Sequence, residues 1–206
     1  VGFFLFLSTF SFFVFFKEDN FMIGFLFFLF GVLVTLGMCA MAAVSDFKGF
    51  RIPNIVSVVI IIAFVLAFGI TSLTGQREFI FGTYTSHGAA ALVVLVVTAI
   101  MFCLKQLGAG DSKFATAVAL WVGLSGLAAF LFYMAMAGGI IAGLSLILKK
   151  WKPLKNPPAE SWLAKAQEGY PSVPYGIAIA LGALASFVYT GYFSPDKWQS
   201  MFVGVG

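Results

Sequence analysis

Eight carboxylates are spread over 206 residues, and two of them stand apart. Glu18, Asp19, Glu78 and Asp196 fall in turns or near the carboxyl terminus, and Glu160 and Glu168 in a polar loop, where solvated surface charge is the plain reading. Asp46 and Asp111 instead abut long apolar runs. Asp46 opens the stretch Asp46-Phe47-Lys48-Gly49-Phe50-Arg51-Ile52-Pro53-Asn54, and Asp111 follows Gly108-Ala109-Gly110. Two carboxyls brought together at a low-dielectric boundary resist double ionisation, so one keeps a proton while the other is a base. The base can take a proton from water while the acid polarises a peptide carbonyl. That is aspartyl protease chemistry, and it needs neither metal nor cofactor. Gly108 and Gly110 allow backbone conformations closed to other residues and let an extended peptide approach the carboxyl. Taken singly, each aspartate also has an ordinary reading. Asp111 could cap the helix that follows it, and Asp46 could mark the point where a span leaves the membrane, paired with Lys48 or Arg51.

The elements that must position this pair are membrane helices. The chain is 61% hydrophobic and 10% charged, with 26 phenylalanines and a mean hydropathy of +1.04. A soluble domain carries roughly 25% charged residues. This composition excludes a cytosolic enzyme, a disulfide-stapled secreted domain and a disordered tail. Cys39 and Cys103 both lie in apolar runs, which suggests neither a zinc cluster nor a disulfide framework. A span needs about 20 mostly apolar residues. Uncharged runs trimmed at turn signals give helices over 2–16, 21–44, 55–73, 88–104, 112–122, 126–148 and 175–193. The run from Phe114 to Leu148 is too long for one span, and Gly123, Ser125 and Gly126 offer the break. The fold expected is an all-α, polytopic membrane helix bundle, a six-helix core plus an extra Phe-rich helix at the amino terminus. It forms a single domain over 1–206 with no internal repeat. Val1 to Phe16 lacks a basic leading region, so a cleaved signal peptide is not expected, and a start further upstream stays open.

Basic residues orient the bundle. With seven crossings and the amino terminus inside, the cytoplasmic side receives Lys48, Arg51, Lys105, Lys113, Lys149, Lys150, Lys152, Lys155 and Lys165. The outer side receives Lys17, Arg77 and Lys197, along with the carboxyl terminus. Nine against three obeys the positive-inside rule, and the inverted topology violates it. Trp151, Trp162 and Trp198 fall near span ends, as interfacial aromatics do. The proline-containing stretch of about 149–173 reads as a cytoplasmic loop, with a short surface helix over Glu160 to Glu168. The formal charge of +4 is therefore a membrane signal and does not imply nucleic acid.

At this point the motifs resemble a known family. Asp46 with Arg51-Ile52-Pro53-Asn54 is similar to the first-aspartate motif of bacterial prepilin peptidases. Gly108-Ala109-Gly110-Asp111-Ser112-Lys113 is similar to their Gly-x-Gly-Asp motif with its following lysine. Val173-Pro174-Tyr175-Gly176 resembles a Pro-aromatic-Gly segment that opens the last helix. The resemblance implies a membrane aspartyl endopeptidase of the bacterial inner membrane, with Asp46 and Asp111 as the catalytic pair. Gly108, Gly110, Lys113, Arg51, Pro53, Asn54, Pro174, Tyr175 and Gly176 would support substrate or motif. Its partners would be prepilin or pseudopilin precursors cut at the cytoplasmic face, membrane lipid, and pilus-assembly proteins. Paired Cys-x-x-Cys motifs are missing, so the chain is closest to the short peptidase-only branch of the tight-adherence (Flp) systems, and methylation is not implied.

Several residues carry weaker signals. His87, the only histidine, precedes the fourth span on the outer side, where a surface or capping role outweighs a catalytic one. Arg51 and Lys113 read either as partners of the acidic pair's field and lipid phosphate or as plain anchors. Pro53 suits the first turn of a helix. Gly138, Gly139 and Gly143 read as close helix packing. Among enzymes the alternative is another Gly-x-Gly-Asp membrane protease of the preflagellin peptidase kind. Outside enzymes it is a small ion or proton transporter, which would place its acids mid-span and show repeat symmetry.

Overall fold

The computed structural model describes residues 2–170, 173–196 and 198–199, with side chains from Met22 onward. It contains helices and no strand among the described residues: α1 (Gly2–Gly49), α2 (Asn54–Leu73), α3 (Arg77–Ile80), α4 (Tyr84–Cys103), α5 (Ala109–Trp151), α6 (Trp162–Glu168) and α7 (Tyr175–Tyr189). Four of these hold a stretch long and apolar enough to cross a membrane, Met22–Gly49, Asn54–Leu73, Tyr84–Cys103 and Ala109–Trp151. Their outer faces expose large apolar side chains such as Phe30, Leu33, Val65 and Ile140. Such faces are stable only against lipid, and the protein is a multi-pass, all-α membrane protein.

α5 is two arms. Gly123 breaks it with φ 64 and ψ 178, a conformation essentially restricted to glycine. A Cβ at Gly126 would touch Thr190 at the end of α7, while one at Gly138 would touch Tyr175 at its start. The second arm thus runs antiparallel to α7, and Gly123 turns the chain back within one residue. The break expected at Gly123 is there. Counting the two arms separately, and α1 from Met22, the core has the expected six rods. The amino-terminal apolar segment is helical as expected, but the turn expected at residues 17–20 is also helical and continuous with the next span. With no reversal there, residues 2–16 are not a separate crossing of opposite direction.

The two ends of the bundle differ. At one end, Trp121, Phe28, Phe64, Phe81 and Tyr192 meet one another edge-on, and Phe64 and Phe81 also pack against His87. Trp121 donates Nε1–H to the carbonyl of Ile60 at 3.2 Å, and Tyr192 donates its hydroxyl to the carbonyl of Trp121 at 2.7 Å. His87 is buried, not on the surface, and its two ring nitrogens lie 2.7 and 2.8 Å from the carbonyl oxygens of Leu120 and Phe81. Ser86 Oγ accepts from the Leu124 amide at 2.9 Å, so the start of α4 clasps the turn at Gly123. The other end gathers the helix ends at Gly49, Asn54, Cys103, Ala109, Trp151 and Tyr175, together with α6. Both aspartates lie there.

Candidate active site

Asp46 sits in the last turn of α1. Its carbonyl closes that turn by accepting from the Phe50 amide at 2.9 Å, and Phe50 then takes a left-handed conformation with φ 53. That costs a non-glycine residue about 1 kcal/mol or more. Ser45 Oγ ties the reversal by donating to the carbonyl of Arg51 at 2.6 Å. Proline restricts the residue before it to extended backbone, so Arg51-Ile52-Pro53 runs straight into α2 with Pro53 as its N-cap residue.

Asp111 is reached from the opposite side. α5 starts at Ala109, so Asp111 is in its first turn and not ahead of it. Asp111 Oδ2 accepts from the Gly108 amide at 3.2 Å, which realises part of the helix-cap reading. The other oxygen, Oδ1, is buried and has no hydrogen-bond partner. A buried acceptor without a partner costs about 1–3 kcal/mol, a cost that structural capping alone does not explain.

The two carboxyls, 65 positions apart in sequence, share two cavities at this end. One cavity of about 520 Å³ lies between the Phe50–Asn54 segment and the Gly108–Asp111 turn. A larger one of about 870 Å³ lies between the end of α4 and the start of α7, with Phe102, Val173 and Tyr175 in its wall. Asp46, Phe50, Gly108 and Asp111 line both, and the two aspartates are close enough for their charges to interact. Neither is paired with a base: among the described residues the one ion pair is Arg77 with Glu78, at the far end. Pairing of Asp46 with Lys48 or Arg51 is therefore not found.

The third motif closes the site. Pro174 is the N-cap residue of α7, and the Gly176 amide in that first turn donates to Asp46 Oδ2 at 2.7 Å. Helix amino termini favour negative charge, and a carboxylate accepting a backbone N–H there is held in place. A Cβ at Gly176 would stand 3.0 Å from Asp46 Cβ, Asp46 Oδ2 and Ile52 Cδ1. Ile52 also backs onto Gly110, where a Cβ would lie 3.4 Å from its Cβ and carbonyl oxygen. One isoleucine thus wedges three motif segments together. Lys113 donates to Asn54 Oδ1 at 3.2 Å across α5 and α2. Arg51 lines the smaller cavity and Tyr175 the larger.

The sequence alone gave no sign of Phe50, which lines both cavities, or of the backbone donor at Gly176. Ile52 stood between motif residues and could have been read from that position. Among the described residues no three His, Cys, Asp or Glu side chains are grouped as metal ligands would be.

Residues 33–143, more than half of the chain, match the type IV leader peptidase family. Both aspartates lie inside the matched span, and Pro174-Tyr175-Gly176 lies beyond it. No curated protein and no solved structure matches the chain.

Proposed function

We propose, from the premise that this chain belongs to the type IV leader peptidase family, that its peptidase activity is of the aspartic type and rests on Asp46 and Asp111. The observation that carries this reading is that both carboxyls, from helices distant in sequence, line the same two cavities at one end of the bundle. In the proposed reaction one carboxylate takes a proton from a water lying between the two. The hydroxide so formed attacks the scissile carbonyl carbon, while the other carboxyl donates its proton toward the carbonyl oxygen. Collapse of the tetrahedral intermediate breaks the C–N bond as a hydroxyl proton returns to the second aspartate, and the leaving amine takes up the proton held by the first. Asp46 is assigned the ionised role because the Gly176 amide donates to its carboxylate at 2.7 Å, against 3.2 Å from the Gly108 amide to Asp111, and the shorter bond favours the charged form more. Asp111, with Oδ1 unpartnered, has an oxygen left to meet the substrate carbonyl.

The substrates in this reading are prepilin or pseudopilin precursors, cut between a short basic leader and an apolar helix at the cytoplasmic face of the inner membrane. The aspartate end carries the lysines and arginines that the positive-inside rule assigns to the cytoplasm, which supports this orientation. The transporter alternative is weakened because both acids sit at helix ends and not mid-span. The test is cleavage of precursor peptides by the full chain in lipid nanodiscs. Asp46→Asn and Asp111→Asn should each cut at least ~10³-fold more slowly while remaining folded. Substantial turnover by either folded variant would exclude the pair.

A further inference from the structure

Asn54 begins α2, where asparagine ordinarily earns its place by capping the helix. Here it does not. The N-cap position belongs to Pro53, and no side chain caps α2. Asn54 Oδ1 instead accepts from Lys113 Nζ at 3.2 Å, a bond between residues 59 positions apart. A lysine ammonium has three donors and no acceptor, so only the amide oxygen can face it. The Asn54 NH₂ group, on the opposite branch of the same planar amide, is thereby turned away from Lys113. Asn54 lines the smaller cavity beside both aspartates, and Lys113 does not. Lys113 makes no ion pair with either aspartate. Its charge is spent on orienting a neutral amide at the rim of the cleft.

We infer that Lys113 is a positioning residue that holds the Asn54 amide with its NH₂ toward the cleft, where it donates a hydrogen bond to a backbone carbonyl of the bound peptide. This deepens the peptidase reading and rests on it. A backbone carbonyl is an acceptor that every extended peptide presents, so such a contact holds the peptide in the cleft without reading side chains. The contact is made in the ground state as well as during reaction, and its loss should therefore appear mainly in KM.

The experiment measures KM and kcat for a precursor peptide, a short basic leader joined to an apolar segment, with the full chain in nanodiscs. Asn54→Asp keeps the link to Lys113 but has no N–H to give. It should raise KM by about tenfold, the worth of one hydrogen bond, with kcat within about twofold. Asn54→Ala should match it. Lys113→Met should raise KM by about threefold, Lys113→Arg should restore it, and Lys113→Met should add nothing in an Asn54→Ala background. A wild-type KM in Asn54→Asp, or equal costs of Lys113→Met with and without Asn54, overturns this inference alone. A wild type that leaves the precursor uncut, or an Asp111→Asn variant that cuts it normally, overturns the peptidase reading and this inference with it.

Discussion

Replacing Gly176 with alanine adds one methyl group at the point where α7 meets the end of α1. Its carbon would stand 3.0 Å from Asp46 Cβ, Asp46 Oδ2 and Ile52 Cδ1, whereas carbon atoms rest at roughly 3.5–4.0 Å. Ile52 Cδ1 is the free end of a side chain and can rotate away. Asp46 Cβ is fixed to the last turn of α1 and moves only with the helix. Relief therefore requires α7 to withdraw by about 0.5 Å or the carboxylate to swing. Either movement stretches the 2.7 Å bond from the Gly176 amide to or beyond about 3.2 Å, the long end of the hydrogen-bond range. Overpacking of this kind costs about 1–3 kcal/mol. Alanine's better helix propensity returns at most ~1 kcal/mol, less in a first turn. A net loss of about 1–2 kcal/mol of stability is expected.

The loss of activity should be larger than that, because a reacting group displaced by about 1 Å can lose ~10²-fold. We expect kcat/KM per folded molecule to fall about 10- to 100-fold. The same substitution at Gly139, where an added Cβ meets nothing within 4 Å, is the control. It should gain about 0.5–1 kcal/mol from helix propensity and leave cleavage unchanged. The measurement is a melting curve and a cleavage rate for both variants in one detergent. A Gly176→Ala variant that cuts and melts like wild type would refute the idea that this close contact fixes the carboxyl.

Gly110→Val should reduce cleavage far more than Gly139→Val. A Cβ at Gly110 already meets Ile52 at 3.4 Å, so valine's two methyls must displace the Ile52 wedge, while Gly139 faces open space; equal loss in specific activity would exclude this. At the other end, His87→Phe removes the ring nitrogens that lie against two backbone carbonyls, so a buried carbonyl loses its N–H donor; the change should cost about 1–3 kcal/mol, seen as a lower melting temperature with cleavage per folded molecule intact. Gly123→Ala should lower the melting temperature for a related reason, since φ 64 with ψ 178 is closed to alanine and its Cβ would meet His87 at 3.0 Å. Normal melting of either variant would show that the turn at Gly123 does not depend on this clasp.

What the sequence could reveal of this fold follows from what kind of signal each feature leaves. Helices α2, α4 and α7 were legible because uninterrupted apolar runs ended at proline, glycine or charge. The break at Gly123 was legible because one span cannot hold 35 apolar residues. The polar run at residues 17–20 was misread, since charge in a helix that continues looks the same as charge in a turn until the tertiary contacts are known. Gly139 and Gly143 were read as packing, yet neither meets a neighbour. Small residues permit close approach, but which face they occupy is settled by how the second arm of α5 rotates against α7. The aspartates could be named from type and spacing, since carboxyls beside lipid are costly and few. Their partners could not be. The donor to Asp46 is the backbone N–H at position 176, which every residue but proline possesses, so it leaves no mark in the sequence beyond the requirement for a residue without a Cβ. That requirement is what makes the glycine of the third motif part of the site: it lets α7 come close enough for its first turn to hold a carboxylate that α1 supplies.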